Sequence, residues 1–432
     1  MKAKGIALLI LITLLSCNLF GSGTVDTGDL AVWEDVHGAG SQRSDPKSGN
    51  PDDYADGHGP QGDAIRIMNM ARPVRSFSTS DLPYSIIDTN QTTRFDNYEE
   101  AVNTTVFTGQ DADYSNIGPS YRDNGDGTVS DLNTGLMWQQ NPGEKMSWDE
   151  AFAAVDDTSL AGYNDWRIPT IKELYSLILF SGRDVSPEAL EGTIPFIDTE
   201  YFDFVYGDEA KGERIIDSQY MSSTKYVSTT MGDSETVFGV NFADGRIKGY
   251  GMGLHGQDKT FFVMFVRGNS EYGINNYIDN GDGTISDLAT GLMWMQDDLG
   301  PMTWEDALST CEELEKAGYD DWRLPDTKEL QSIVDYSRSP ETTDSAAIDP
   351  LFNTSIVIDE AGDNDYGFYW SSTTHANSNS VNYGSAAAYV AFGKSLGNMS
   401  NLQIPGMEGM ANAPGGRPEG GPGNQGPPPP KK

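Results

Sequence analysis

The sequence predicts an α+β protein built from a duplicated unit, with helices early in each copy and antiparallel strands later. Three observations predict it. The first is self-similarity. The run Asp123-Asn124-Gly125-Asp126-Gly127-Thr128-Val129-Ser130-Asp131-Leu132, followed by Thr134-Gly135-Leu136-Met137-Trp138, returns 156 residues later as Asp279 to Leu288 and Thr290 to Trp294. The same displacement carries Met146-Ser147-Trp148 to Met302-Thr303-Trp304, and Ala161 to Pro169 to Ala317 to Pro325. A period this long exceeds solenoid repeats and fits a globular domain present twice. The second is punctuation: each copy has two capped helical stretches ahead of its strand-like runs. The third is composition, since 8 Trp, 20 Tyr and 17 Phe fill real cores while 48 Gly and 22 Pro set many turns.

Charge limits the partners. With 65 acidic against 28 basic side chains, the net charge of -37 makes approach to phosphate backbones unfavourable, and nucleic acid is not expected as a partner.

In chain order, residues 1–16 read as a signal peptide, because Lys2 and Lys4 precede an apolar run, Ile6 to Leu15, that is too short to span a bilayer. Leu14-Leu15-Ser16-Cys17 looks like a bacterial lipobox, which makes Cys17 the lipidated residue; an ordinary signal cleaved nearby is the alternative. Residues 17–31 follow as a tether, and Asn18, not Asp, favours the outer membrane or cell surface. The expected membrane attachment is by the lipid anchor only. Next come 32–76, taken up below, and a connecting segment over 77–115. Copy 1 is placed at 116–270, copy 2 at 271–400, and a Gly/Pro-rich disordered tail at 401–432.

Within each copy, Asn124-Gly125-Asp126-Gly127 and its counterpart read as a hairpin turn. Ser147-x-x-Glu150 and Thr303-x-x-Asp306 cap a first helix whose apolar face in copy 2 is Trp304, Leu308, Cys311 and Leu314. Thr170-x-x-Glu173 and Asp326-x-x-Glu329 cap a second, ending near Phe180 or Tyr336. Strands are expected at Gln219 to Thr224, Thr236 to Phe242 and Thr260 to Arg267, and at Gly367 to Thr373 and Ala387 to Phe392.

The pattern Asn-Gly-Asp-Gly-Thr, Gly-Leu-Met-Trp, Trp-x-x-Ala and Gly-Tyr-x-Asp-Trp-Arg-[Ile/Leu]-Pro resembles the domain of unknown function at the C-terminus of Legionella collagen-like adhesins. Ser222-Ser223-Thr224 and Trp370-Ser371-Ser372-Thr373 fit it too. The resemblance implies two tandem C-type lectin-like domains, each with two helices against an antiparallel sheet, and a binding or adhesion role without transferable catalytic residues. The family often pairs a Cys of the first helix with one in a closing strand. Val155 and Phe265 stand at those places in copy 1, and Cys311 in copy 2 lacks its partner.

Copy 1 closes with Val263-Met264-Phe265-Val266-Arg267, whereas copy 2 runs into the tail without such a strand. Residues 32–76, with Ala71-Arg72-Pro73-Val74-Arg75, resemble the end of the family domain yet precede both copies. Two readings stand: Ile65 to Arg75 folds back as the missing strand of copy 2, or the segment is the remnant of a truncated third copy.

No cofactor is expected. Ca²⁺ is the one cation with candidate ligands, Asn124, Asp126, Asn280 and Asp282, but an EF-hand would need a carboxylate where Arg122 or Ile278 stands. The acidic loops Asp198 to Glu213 and Asp359 to Asp365 are further oxygen-rich candidates, against which stands the commoner solvated loop. His37, His58, His255 and His375 lack zinc spacing, and His58 and His255 read as structural. Cys311 reads as a buried apolar residue, not a nucleophile. The Ser-Ser-Thr segments lack a glycine elbow and read as solvent-facing strand hydroxyls. The repeated Trp138, Trp148, Trp166, Trp294, Trp304 and Trp322 read as core; Trp33 and Trp370 are freer, and Trp370 is the candidate ligand-binding residue. The function expected is adhesin-like recognition of an extracellular glycan or protein, not catalysis. The alternative is a structural envelope lipoprotein making protein contacts.

Overall fold

A computed structural model describes residues 32–59, 61–77, 82–97, 107–185, 190–254, 257–378 and 383–399. The expected signal peptide, lipidated Cys17, tether and disordered tail, and also His255, therefore lie outside the described residues. The chain is mixed α+β, mostly sheet with few helices.

Each copy contains a small four-stranded sheet made by its most repetitive sequence. In copy 1, Tyr121–Asp123, Thr128–Asp131 and Leu136–Gln139 form a meander, and Val266–Gly268 closes it on the far side of Leu136–Gln139. In copy 2, Tyr277–Asp279, Thr284–Asp287 and Leu292–Met295 repeat the meander. The strand that closes it is Val74–Ser76, more than two hundred residues earlier in the chain. The registers match: Val266 faces Trp138 and Arg267 faces Met137, as Val74 faces Trp294 and Arg75 faces Met293. Side chains repeat the equivalence. Arg267 forks onto Asp165 at 2.6 and 3.0 Å with its guanidinium over Tyr163, and Arg75 forks onto Asp321 at 2.6 and 3.0 Å over Tyr319. This pairing is the one that the fold-back reading of residues 32–76 requires.

The larger sheet joins the copies. Eight strands run in the order Pro301–Met302, Asn69–Met70, Phe368–Thr374, Ala386–Ala391, Gln42–Pro46, Arg246–Gly251, Ser234–Asn241, Gln219–Thr230. It is antiparallel except where Tyr369 runs parallel to Met70. Gln42–Pro46 does for Ala386–Ala391 what Arg246–Gly251 does for Ser234–Asn241, and these two equivalent edges meet each other at Gln42 and Ile247. The expectation of two separate sheets is corrected here: an edge strand left bare in each copy is covered by the other's. Copy 1 turns from Asn241 to Arg246 through a tight loop that Gly245, at φ 67, allows. In copy 2 that loop is cut. The chain leaves along Leu396–Asn398 and enters along Trp33–Asp35, and the two ends clasp as an antiparallel pair, Trp33 on Asn398 and Asp35 on Leu396.

The first helices, Trp148–Asp156 and Trp304–Glu312, start where the capping sequences place them. Ser147 and Glu150 form a full capping box, whereas Asp306 is too short to reach back to the Thr303 N–H and leaves half of one. The second helices stop early, at Tyr175 and Ser332, short of Phe180 and Tyr336. Their last turns are tied from across the molecule. Lys172 Nζ donates to the Ser332 carbonyl at 2.7 Å and Lys328 Nζ to the Ser176 carbonyl at 3.0 Å, so each copy's lysine caps the other copy's helix. One buried cluster, from Val129 and Trp138 to Trp294 and Phe392, runs through both copies.

Candidate functional site

The motif residues repeated between the copies turn inward. Arg167 forks onto Glu173 at 2.6 and 2.5 Å, and Arg323 onto Glu329 at 2.6 Å twice, while the backbone of each arginine pairs with its closing strand. The Ser-Ser-Thr segments, expected to face solvent, instead hold strand to strand through their serines and strand to helix through their threonines. Ser222 donates to the Phe238 carbonyl and Ser371 to that of Ala388, while Thr224 accepts from Ile171 N and Thr373 from Thr327 N, both at 3.0 Å. Cys311 is buried, and its thiol is pushed up by burial.

Trp370 is corrected from ligand candidate to core. It is fully buried, and its indole N–H donates to the Met302 carbonyl at 3.0 Å, because the expected strand, observed as Phe368–Thr374, is interior to the sheet. Trp138, Trp166, Trp294, Trp304 and Trp322 are buried, but Trp148 is only half-buried.

The oxygens of the calcium candidates serve the turn itself. Asp126 Oδ1 accepts from Thr128 N and Oγ1 and Asn124 Nδ2 donates to Thr128 and Ser130, with Asp282 and Asn280 repeating the pattern in copy 2. Gly125 and Gly127, at φ 74 and 85, supply the hairpin's left-handed positions. Asp359 is tied to Lys394 at 2.7 Å. Among the described residues no group of three or more metal-ligating side chains converges.

What the sequence did not disclose is a polar pocket at the seam where Gln42–Pro46 meets Arg246–Gly251. It has a volume of about 450 Å³, and Arg43, Tyr54, His58, Asp63, Arg246 and His375 are among its lining. Two charged networks build its floor. In one, Asp63 accepts from Arg43 and lies 2.8 Å from His37 Nε2. Burial alone would raise the Asp63 carboxyl, but the neighbouring Arg43 and His37 hold it well below the usual range. Burial, with Arg43 beside it, pushes His37 down to about 4, so this imidazole is neutral at physiological pH. In the other, Arg246 Nη1 donates to Asp184 at 2.7 Å and Nη2 to Ser44 at 3.2 Å, Lys248 reaches Asp244 at 2.6 Å, and His375 Nε2 lies 2.8 Å from the Asp244 carbonyl oxygen. Burial drives His375 down to about 3 and Asp184 up to about 6. Tyr54 and the exposed His58 ring stand edge to face at 6.1 Å. The arrangement offers fixed donors and acceptors with each charge paired, beside an aromatic edge, and among the described residues no serine, threonine or cysteine side chain hydrogen-bonds its histidines.

The only sequence signal for this pocket was the resemblance of residues 32–76 to a family end; that the two edges would join was invisible. The sequence model of a family described as the Lcl C-terminal domain matches residues 127–267 and, a second time, 283–403, together more than half of the chain. No curated protein and no solved structure matches it.

Proposed function

The chain belongs to the Lcl C-terminal domain family, an adhesin-associated domain present in two copies, and on that premise we propose that it is a non-catalytic recognition protein of the bacterial surface that binds the neutral end of a glycan. The observation that carries this reading is the seam pocket. Its 450 Å³ lies within the usual range for small-ligand sites. Its arginines and carboxylates are already paired, so they present directional hydrogen bonds without a net charge to neutralise. A polyhydroxylated, uncharged sugar matches such a lining, and the Tyr54 and His58 rings offer it an apolar edge. The acidic surface disfavours sulfated or uronic polymers. The lectin-like fold of each copy, lipidation at Cys17 and an outer-membrane or surface location belong to the same proposal, supported by the family membership and the lipobox-like sequence.

The test is a glycan array and calorimetric titration with residues 23–432, in Ca²⁺ and again in chelator. Neutral oligosaccharides are expected to bind equally in both, with Tyr54→Ala and Arg246→Gln each weakening binding at least tenfold. A blank array would sink the reading and favour a structural envelope component.

A further inference from the structure

Copy 2 wears part of its own chain on its helical face. Phe107, from the connecting segment, packs edge-on against Trp304 with ring centroids 5.8 Å apart. Four residues on, Asp111 accepts from Thr373 Oγ1 at 2.6 Å. Gln91 brackets the backbone of Thr374, accepting from its N–H at 2.8 Å and donating to its carbonyl at 2.7 Å. Tyr114 bonds Glu312 and lies under the Arg323 guanidinium. Beneath this cover Trp304 and Leu308 are shut off from solvent.

Copy 1 has the same face without the cover among the described residues. Trp148 stands where Trp304 does, Phe152 where Leu308 does, and Thr224 where Thr373 does. Phe152 is 39% exposed against 1% for Leu308, and the Arg167 side chain is 34% exposed against 7% for Arg323. Trp148 and Phe152 pack against each other with ring centroids 4.7 Å apart and planes tilted by 40°, and Lys225 Nζ lies 5.0 Å from the Trp148 ring centre. The polar half of the site is also preserved. Thr373 Oγ1 accepts from Thr327 N and spends its own hydrogen on Asp111; Thr224 Oγ1 accepts from Ile171 N in the same way, and no carboxylate among the described residues takes its hydrogen. Where copy 2 has Thr374, copy 1 has Lys225, whose exposed pairing with Glu235 at 3.2 Å is of the kind that contributes little in water.

We propose that this face of copy 1 docks an extended segment of a partner protein, one that lays an aromatic side chain on Trp148 and Phe152 and, four residues later, offers a carboxylate to Thr224 and Lys225. The occupant's chemistry is that of the segment the second copy already holds. The site is separate from the seam pocket, so it stands or falls independently of glycan binding.

The probe is a fluorescein-labelled peptide with the sequence of residues 107–116, titrated by anisotropy against the lipid-free full chain. Saturable binding is expected, weakened at least tenfold by Trp148→Ala and by Phe152→Ser, and several-fold when the peptide's first Asp becomes Asn. Phe152→Ser removes an exposed ring and is expected to leave the thermal midpoint unchanged, which separates lost binding from lost folding. No binding, or binding indifferent to both substitutions, overturns the proposal. So does displacement of the peptide by a neutral oligosaccharide that itself perturbs the Trp148 fluorescence, which would make the face a sugar platform.

Discussion

Lys172 and Lys328 hold each other's copies: each ammonium group crosses the centre of the molecule to the helix end that the other lysine's copy presents, 2.7 Å to Ser332 O and 3.0 Å to Ser176 O. Among the described residues neither has a carboxylate within ion-pair distance: carbonyl oxygens hold each ammonium group, while Asp287 acts on Lys172 and Asp326 on Lys328 from farther away. Such an arrangement suits a junction that must be unique, because a lysine that misses its carbonyl is left desolvated.

It also gives alkaline stability a definite sign. Burial pushes both lysines down to about 8 from 10.5. Between those values the unfolded chain binds more protons than the folded one, so unfolding free energy rises with pH. The gain expected by about pH 9.5 is on the order of 2 kcal/mol for each lysine, before tyrosine ionisation in the unfolded chain reverses the trend. The difference in urea midpoint between the wild type and Lys172→Met/Lys328→Met isolates their share, and a difference that does not change between pH 7.5 and 9.5 would show that both lysines stay charged in the folded protein across that range.

Asp111 reports the opposite range. Burial raises its carboxyl to about 7 from 3.8, against the lowering pull of the Thr373 and Thr89 hydroxyls. Here the folded state binds the extra proton, so stability falls as pH rises from 4 to 7. Asp111→Asn keeps an acceptor for both hydroxyls without the charge. It is expected to match the wild type near pH 4 and to exceed it by on the order of 3 kcal/mol at pH 8, read from denaturant unfolding at each pH.

Deleting residues 33–76 removes the closing strand of copy 2, the edge Gln42–Pro46 and one arm of the clasp together. Calorimetry is expected to show copy 2 unfolded and the remaining chain prone to association through the freed Ala386–Ala391 edge. An unchanged melt would mean that Val74–Ser76 is dispensable.

Trp370→Ala is expected to act on stability, not on recognition. Emptying a fully buried indole site costs about 3 to 5 kcal/mol. Glycan affinity of the fraction still folded, measured by titration below its melting midpoint, should equal that of the wild type.

Local elements were legible because local chemistry determines them. Glycine at positive φ marks the Asn-Gly-Asp-Gly turns, and Ser147, Thr170 and Asp326 announce helix starts through bonds spanning three residues. The helix ends were misjudged since Leu177 and Ile178 continue an apolar pattern that burial in irregular chain satisfies equally well. Trp370 was misassigned because it does not recur in copy 1, where Met221 stands at the equivalent place, and so looked free of the core, whereas its burial comes from the neighbours Asn69–Met70 and Ala386–Ala391, which are distant in sequence. Nothing in Gln42 or Ile247 individually says that they will meet, because sheet-edge pairing is a backbone property that side-chain patterns constrain only weakly.

The clasp of Trp33–Asp35 on Leu396–Asn398 also orders events in time. Copy 1, contiguous from Tyr121 to Gly268, has all of its small sheet once that stretch has been made. Copy 2 must close a loop of more than three hundred residues before its first strand finds its last, and loop closure of that kind slows folding far more than it weakens the product. Val74–Ser76 can pair once Leu292–Met295 has been made, but Trp33–Asp35 waits unpaired for Leu396–Asn398, and the half-made molecule is the form that most needs protection from association.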